Sequence, residues 1–350
     1  MKPMTEYETD VMKVKAALGG AADGTGGKFL PDETAAEIIE MVYERSTLRQ
    51  ALTMMPMNRD TIKVPKLTSS VSFYGHTAGE VEAGTGGTES VHGTDDITLS
   101  MKTLIANIPI GNRVVAYGVE GLMTVLRTDI ASRLAFNEEE MFLNGDIVTT
   151  TGYADNINGL YHAGNNPKGV SLTVNTYLTQ FAGLRKQAGV SLDCGGDAFA
   201  AADIRSAISL LGLHASNRDE LMLMVPRNVE ATMLGWAELQ TVDKYGPAAT
   251  ILRGEIGKVY GIRVVATSAL PQSTLGATGV NPGDATGTLS AAVLLNTKSP
   301  IIGNPSNSAR RFSVGFIDEP KADRFVLIPR QDLAFNVRYT EAVCLLFNIL

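Results

Sequence analysis

The longest helical pattern in the chain runs from Val119 to Gly145, and it constrains the fold more than any other stretch. Its apolar residues recur mostly three or four positions apart, so they line one stripe of a helix. They are Val119, Leu122, Met123, Leu126, Ile130, Leu134 and Met141. Neither glycine nor proline interrupts the pattern between Leu122 and Leu143, and Asn144-Gly145 is typical of a helix end. At about 1.5 Å per residue, some 24 residues predict a rod of roughly 36 Å.

The other face of this helix is charged and ends in three consecutive glutamates, Glu138 to Glu140. They lie near the helix C-terminus, where the helix dipole disfavours negative charge. One interpretation is a solvated acidic face, and the other is a surface that meets basic groups of another chain. Consecutive helix residues point in different directions, so these carboxylates do not predict a catalytic cluster.

Residues 58–111 predict a long two-stranded arm. Apolar residues alternate with period two on both strands, and on each strand the phase changes once, which indicates a bulge or kink. The apolar sets are Ile62 and Val64, then Leu67, Val71 and Phe73 on the outgoing strand, and Ile97, Leu99 and Met101, then Leu104, Ala106, Ile108 and Ile110 on the returning strand. Pro65 and Pro109 favour edge positions over the middle of a sheet.

The segment between these two strands is rich in glycine and acidic residues, GHTAGEVEAGTGGTESVHGTDD. A hairpin of this length has too little core to be stable alone in water. We therefore expect the arm to be ordered only where it lies on another surface. A disordered surface loop is the alternative.

The remaining chain falls into three stretches. Residues 1–27 end in a run of small residues and predict a flexible segment. Pro31-Asp32-Glu33 predicts the start of a short amphipathic helix with apolar residues at Ala35, Ile38, Ile39 and Val42, and an extended piece follows from Leu52 to Met57.

The third stretch begins near residue 176 and alternates helices with strands, which predicts a layered α/β region. The predicted helices are Tyr177–Ala188, Ala198–Leu213 and 227–239, and the predicted strands are Leu221–Val225, Ile262–Ala266 and Ala291–Leu295. From Arg310 onward the pattern returns to strands, through FSVGFI, FVLIP, LAFNVRY and AVCLLFNIL.

Composition and motifs argue against catalysis and cofactor binding. The net charge of −7 disfavours a nucleic-acid binder that works through an overall positive field.

The four histidines have no metal-ligand spacing, and the glycine-rich run before Lys28 lacks the serine or threonine of a phosphate loop. Cys194 and Cys344 match no redox spacing and predict free thiols. No apolar run of about 18 residues predicts a membrane span. We predict no catalytic, cofactor or metal site.

Charge is distributed unevenly along the chain. Acidic residues concentrate in the hairpin and basic residues late in the sequence, a pattern that self-association uses. The residues that we predict to make inter-subunit contacts are Glu80, Glu82, Glu89, Asp95, Asp96, Arg310, Arg311 and Arg324. Scattered surface charge is the alternative.

The order of these parts resembles the major capsid proteins of tailed phages with the HK97-type fold. The resemblance covers residues 28–350 and is carried by GGKFLPDETAAEIIEMVYERSTLRQ, TIKVPKLTSS and FNEEEMFLNGD, and later by VPRNVEATMLGWAEL and LRGEIGKVYGIRVVATSALP. No single motif is diagnostic, but their order and spacing together are specific.

The resemblance implies an α+β fold made of named parts. Residues 1–57 are expected to form the N-terminal arm, with 1–27 flexible, and residues 58–111 the extended β-hairpin called the E-loop. Residues 112–175 and 311–350 are expected to form the peripheral domain, which holds the spine helix at 119–143. Residues 176–310 are expected to form the axial α/β domain.

The resemblance also implies a function: self-assembly, through pentamers and hexamers, into the icosahedral head of a tailed phage around double-stranded DNA. Implied partners are copies of the chain, a portal protein, separate scaffolding and decoration proteins, and DNA contacted non-specifically, with assembly in the host cytoplasm and no membrane. Some relatives cross-link through an E-loop lysine, but no lysine lies between Lys66 and Lys102, so we expect no cross-link.

Two other classes of protein stay open on the sequence. One is an encapsulin-like compartment with the same fold that encloses an enzyme cargo. The other is a soluble enzyme. The long glycine-rich hairpin favours the phage head over the compartment. Some relatives carry a long N-terminal scaffolding segment, but only 27 residues precede Lys28 here. Three alternatives stay open: scaffolding is a separate protein, it is absent, or the chain has been trimmed, and the initiating Met1 favours the first two.

Overall fold

The computed structural model describes residues 48–74, 90–112, 122–147, 157, 177–236, 257–271, 289–306 and 313–350. These residues form a fold of mixed helix and strand in which two sheets are joined by one long helix. No helix in this part of the chain is long and apolar enough to cross a membrane.

The first sheet gathers strands from distant parts of the sequence around one long strand. After a short helix, α1 (Leu48–Ala51), strand β1 (Thr53–Met57) pairs in parallel with β11 (Pro300–Pro305), and β11 pairs with β13 (Arg324–Val337). Strand β13 also pairs along its length with β12 (Ser313–Glu319), β4 (Lys102–Ile105) and β5 (Ile108–Gly111). Because β13 is long, it supports both the sheet and the base of the predicted arm.

The arm itself is a separate two-stranded ribbon. Strand β2 (Thr61–Ser69) pairs antiparallel with β3 (Gly93–Ser100), and the register shifts between Leu67 and Ser69. The change of phase was predicted just past Pro65, but the pairing stays regular through Leu67 and shifts only after it. Pro65 causes no conflict in a ribbon because each strand has only one partner.

The second sheet has the order β6-β14-β10-β7-β9-β8. Its strands are β6 (Val190–Asp193), β7 (Leu221–Pro226), β8 (Lys258–Val259), β9 (Ile262–Thr267), β10 (Ser290–Asn296) and β14 (Val343–Ile349). Every residue of β7 is buried, as expected for a strand covered on both faces. Helices α4 (Ala201–Leu211) and α5 (Arg227–Leu234) bury Ile204 and Val229 in the same core as Leu223 of β7.

One hydrophobic core joins the two sheets, and the end of the long helix α2 (Leu122–Asn144) enters it. Phe142 is fully buried and stacks on Phe335 of β13 with 4.8 Å between ring centroids. The same core contains Met224 of β7 and Val293 of β10. Burying a large apolar side chain stabilises the fold by about 1.5–3 kcal/mol, so this end of α2 holds the sheets together.

Most predicted elements are confirmed where the structure describes them. The long helix, the extended piece before Met57 and the buried strands β7, β9 and β10 lie where their patterns place them. The predicted helix at Tyr177–Ala188 is instead a short 3-10 turn, Tyr177–Thr179, and a separate helix α3 (Leu184–Gln187). The break occurs at Gly183, where a Cβ would lie 2.6 Å from the backbone N of Gly145 and 2.8 Å from the backbone of Leu143.

Two strands do not follow the predicted division of the chain at residue 310. Strand β14, from the stretch 311–350 predicted as peripheral, lies between β6 and β10 in the second sheet. Strand β11, from the stretch 176–310 predicted as axial, pairs with β1 and β13 in the first sheet. Strand patterns predict that a segment is extended but not which sheet it joins, because long-range pairing depends on the whole fold.

Candidate assembly surface

The base of the arm is anchored to the first sheet by a small apolar cluster. Val64, Ile97 and Leu99 of the ribbon are buried against Ile301 and Ala334 of the sheet. Polar contacts from β13 and the residue that follows it support this anchor. The Asn336 side-chain amide donates to the Thr98 carbonyl at 2.9 Å, and the Arg338 guanidinium donates to the Pro65 carbonyl at 2.9 Å. The orientation of the base of the arm is therefore fixed by its own chain.

The distal part of the arm exposes large apolar side chains. Phe73 is 97% exposed and Val91 is 79% exposed. Three further exposed apolar residues of the arm are Leu67, Val71 and Tyr74. Single exposed apolar residues are ordinary on protein surfaces, but a group of them on one projecting ribbon is typical of an interaction surface.

The pairing of the ribbon is irregular at one step between its base and its distal part. Where Leu67 is followed by Ser69 in the pairing, the Gly93 N–H donates to the Ser69 hydroxyl at 2.8 Å. A Cβ at Gly93 would lie 2.5 Å from the Thr68 hydroxyl oxygen, so a larger residue there would displace that side chain. Beyond it, the Ser72 N–H donates to the Ser90 hydroxyl at 2.7 Å. The irregular step thus lies between the buried base of the ribbon and the exposed residues Phe73 and Val91.

The acidic contact candidates that the structure describes are already paired within the arm. Asp96 pairs with Lys63 at 2.9 Å and Asp95 pairs with Lys66 at 3.2 Å, both across the two strands. The Asp96 backbone N–H, and then Lys66, lower the pKa of the exposed Asp95 carboxyl below its ordinary value. Exposed pairs of this kind stabilise weakly. Glu80, Glu82 and Glu89 lie outside the described residues.

Of the basic candidates, only Arg324 lies in the described part of the chain, and the residue with which it pairs is not one of these acids. Arg324 begins β13 and pairs with Glu319 of the adjacent strand, with 2.6 Å between Nε and Oε2. Arg310 and Arg311 lie outside the described residues. A contact between subunits that uses these groups remains a prediction.

The structure corrects both interpretations of the three glutamates. Glu138, Glu139 and Glu140 are only 3%, 3% and 1% exposed, so they form neither a solvated face nor a surface for another chain. Glu138 accepts a hydrogen bond from the Gln331 amide and pairs with Arg49 at 3.3 Å. Glu140 accepts from the Tyr177 hydroxyl at 2.8 Å. Burial raises the pKa of Glu138 above its ordinary value, while Arg49 and then Gln331 oppose that shift.

The last turn of the long helix continues this buried polar junction. The Asn144 amide donates to the Ala269 carbonyl at 2.6 Å and accepts from Arg185 at 3.0 Å. Asp146 accepts from the Ile157 N–H at 3.0 Å and pairs with Lys186 at 3.1 Å. The signal that sequence reasoning missed is the continuous run Met141-Phe142-Leu143, because a helix that is apolar all round at its end is enclosed there.

The described residues show no arrangement of reacting groups. No three histidine, cysteine, aspartate or glutamate side chains among them are grouped to hold a metal ion. Cys194 and Cys344 are free, and burial raises the pKa of each thiol to about 12, so both stay in the unreactive protonated form. The His214 ring packs on Tyr339 with 5.6 Å between centroids.

Known proteins similar to this chain are phage capsid proteins. The major capsid protein of Klebsiella oxytoca phage phiKO2 is 26% identical over 140 residues, which cover 40% of this chain and 31% of that protein. The prophage capsid protein YqbE of Bacillus subtilis strain 168 is 29% identical over 138 residues, which cover 39% of this chain and 44% of that protein. The chain thus matches less than half of the length of either relative.

Solved structures extend the likeness over nearly the whole chain. The capsid of a native GTA particle has a TM-score of 0.59 at 15% identity and covers 94% of this chain and 98% of that one. The capsid of cyanophage P-SCSP1u has a TM-score of 0.58 at 13% identity and covers 99% of each chain. At this identity the likeness shows the fold, which is the HK97-like fold that the sequence resembles.

The sequence also matches a family model over most of its length. The model described as the phage capsid family matches residues 26–344, which include the arm, the long helix and every strand of the two sheets except most of β14. Proteins of this family are structural capsid proteins and not enzymes. This match confirms the resemblance predicted from the sequence, and the chain belongs to the phage capsid family.

Proposed function

We propose that this chain is the major capsid protein of a tailed bacteriophage, which self-assembles into the icosahedral shell of the head around double-stranded DNA. The observation that supports this proposal best is the arm, whose base is fixed to its own chain while its distal apolar side chains, Phe73 and Val91 above all, are exposed. Within a fold shared with capsid proteins, a neighbouring subunit is the surface that these side chains fit.

We infer that assembly depends on contacts between the surfaces of neighbouring subunits and on no chemical step. Each arm lies on the adjacent subunit and buries its distal apolar residues there, at about 1.5–3 kcal/mol for each large side chain. Part of this gain offsets the entropy that each subunit loses on association. Because every subunit both extends an arm and receives one, a modest contact is repeated around a closed shell.

The parts of the subunit follow the two sheets. We propose that the first sheet, together with the long helix as spine, forms the peripheral domain, and that the second sheet, including β14, forms the axial domain around which pentamers and hexamers close. Residues 58–111 then serve as the E-loop, whose last two strands, β4 and β5, are anchored by pairing with β13 of the first sheet, and residues 1–57 serve as the N-terminal arm. This division keeps the predicted parts but moves β11 and β14 between them.

The partners that we propose are further copies of the chain, a portal protein, separate scaffolding and decoration proteins, and DNA held without sequence preference, with assembly in the host cytoplasm. The net charge of −7 suits an inner wall that does not hold packaged DNA tightly. Without a lysine between Lys66 and Lys102, we expect no cross-link from the hairpin tip. The similar proteins are phage capsids, so an encapsulin-like compartment is not favoured.

Replacing Phe73 with aspartate tests the role of the arm. We expect Phe73→Asp to reduce the yield of shells about tenfold or more, because a charged group would be buried in each contact. The yield is measured by sedimentation and negative-stain electron microscopy. Ser72→Asp is the matched control because it adds the same charge one residue away, at an exposed position whose side chain is not apolar. Equal yields from the two variants would contradict the proposed role.

The predicted charge contacts have their own test. We propose that Glu80, Glu82, Glu89, Asp95 and Asp96 on one arm face Arg310, Arg311 and Arg324 on a neighbour. Arg311→Glu is then expected to lower assembly more than it lowers the melting temperature of the subunit, and the loss is expected to shrink at high salt. Normal shell formation by this variant would show that the pairing is wrong while leaving the apolar contact of the arm in place.

A further inference from the structure

A groove of about 360 Å³ lies between the long helix α2 and strands β4, β5 and β13. The apolar part of its lining includes Leu104, Ile105, Ile108, Ile130, Leu134 and Pro329, and polar residues such as Thr103, Asn137 and Gln331 line the rest. Two basic side chains, Arg133 and Arg330, and one acidic side chain, Asp129, also line it. The groove is long enough to follow α2 from Asp129 to Asn137, which is about 12 Å at the helical rise.

One buried polar atom in this lining lacks a partner. Gln331 is 2% exposed, and its side-chain amide nitrogen donates to Glu138. Among the described residues no donor reaches the Gln331 Oε1 atom. A buried acceptor without a hydrogen bond costs free energy. The groove therefore fits an occupant with an apolar face and a hydrogen-bond donor near Gln331.

The described chain begins beside this groove. Leu48 is fully buried, and the next residue, Arg49, pairs with Glu138 at 3.3 Å. Glu138 follows Asn137, which lines the groove, and Glu138 accepts the hydrogen bond from Gln331. The described chain therefore starts at Leu48, at the end of the groove where the unpaired acceptor lies.

The segment that precedes Leu48 has apolar residues and charges that fit the lining of this groove. Residues 31–46 predict an amphipathic helix with an apolar stripe at Ala35, Ile38, Ile39 and Val42. Its other positions carry five acidic residues and one basic residue: Asp32, Glu33, Glu37, Glu40, Glu44 and Arg45. This negative segment has the charge opposite to that of Arg133 and Arg330, of which Arg330 also pairs with Asp332 at 3.7 Å. Its last turn also supplies donors, at Tyr43, Arg45 and Ser46.

We propose that residues 31–46 dock as a helix in this groove of their own chain. The segment runs in the same direction as α2, because its C-terminal end meets α2 at Glu138. In this arrangement Ile38, Ile39 and Val42 cover Ile130 and Leu134, and a donor from the last turn satisfies Gln331. The N-terminal segment then completes the core under the long helix. This proposal concerns a single chain and does not depend on the proposed shell.

Hydrogen–deuterium exchange of the full-length chain tests the docking. We expect the amides of residues 31–46 to exchange at least about tenfold more slowly than those of residues 1–27. Ile105→Asp places a charge in the groove, at a residue that is 58% exposed, and is expected to abolish this protection. Ile317→Asp is the matched control, because Ile317 is 52% exposed and lies on β12 outside the groove lining. Absent protection, or protection that survives Ile105→Asp, would overturn the proposal.

A second measurement separates this occupant from another copy of the chain. The photoreactive residue benzoylphenylalanine replaces Ile105 in chains labelled with ¹⁵N, which are mixed with unlabelled chains before irradiation. The proposal predicts cross-links to residues 31–46 within the labelled chain. Cross-links to unlabelled chains, whether to their N-terminal segment or to their arm, would show that a second copy fills the groove and would refute docking within the chain.

Discussion

At the scale of single residues, Glu138 at the end of the long helix shows that the surroundings of a carboxyl group in the fold determine its role. Glu138 is held between Arg49 and Gln331 in a buried junction, although the run of three glutamates resembles a surface feature in the sequence. Burial disfavours the charged carboxylate, and this desolvation outweighs the opposing attraction of Arg49. The junction therefore contains a carboxyl group whose folded-state pKa lies above its unfolded value.

This raised pKa gives a pH prediction for Glu138. An acid with a raised pKa in the folded state contributes stability that is present below its unfolded pKa and is lost as the pH rises through its folded pKa. Glu138→Gln removes this titration. We expect the unfolding free energy of the variant, relative to the unchanged protein, to increase as the pH rises from about 4 toward neutrality.

Urea unfolding at a series of pH values measures this difference. Because exposed Asp95 has its pKa lowered, Asp95→Asn is the control with the opposite sign: its relative stability is expected to fall as the pH rises toward the ordinary value of 3.8 and to stay level above it. If Glu138→Gln instead became less stable relative to the unchanged protein as the pH rose, attraction by Arg49 would dominate over desolvation.

At the scale of elements, the ribbon of β2 and β3 combines a base that is buried against the first sheet with a distal part that exposes apolar side chains. The step between them depends on Gly93, where a Cβ would lie 2.5 Å from the Thr68 hydroxyl oxygen and 2.6 Å from that of Ser69. The ribbon shares a buried cluster with the first sheet only at its base. A change at Gly93 is therefore expected to alter the direction of the arm without disturbing the main core.

Gly93→Ala tests this separation of assembly from folding. We expect the melting temperature of the subunit to change by less than about 2 °C and the yield of shells to fall severalfold, since the distal apolar residues are misplaced. Gly315→Ala on β12 is the control, because its Cβ would meet Ile328 at an ordinary distance of 3.9 Å. A large loss of thermal stability in Gly93→Ala would contradict the independence of the arm.

Elements were predictable from the sequence to the degree that their residues are periodic. The long helix and the buried strand β7 follow from local patterns, whereas the register shift in the arm follows Leu67 instead of preceding it as predicted. The burial of Glu138 to Glu140 and the break at Gly183 did not, because both depend on close contacts with segments distant in sequence, Gln331 in one case and Gly145 in the other. The acidic and basic contact candidates are untested, since several of them lie outside the described residues.

At the scale of the whole molecule, two sheets share one core through the end of a single helix, and one ribbon projects from the first sheet. The subunit is stabilised by its own core, so it does not need the arm to fold. The arm is the part whose apolar residues gain most from a neighbour. Family membership and this geometry lead to the same conclusion, a subunit built to join copies of itself.

Electron microscopy of the purified full-length chain, carried to a reconstruction, tests the central claim most directly. The account predicts closed icosahedral shells in which Phe73 and Val91 of each arm are buried on an adjacent subunit. A protein that stays monomeric at all concentrations, or shells in which the distal arm is covered by its own chain and touches no neighbour, would contradict it.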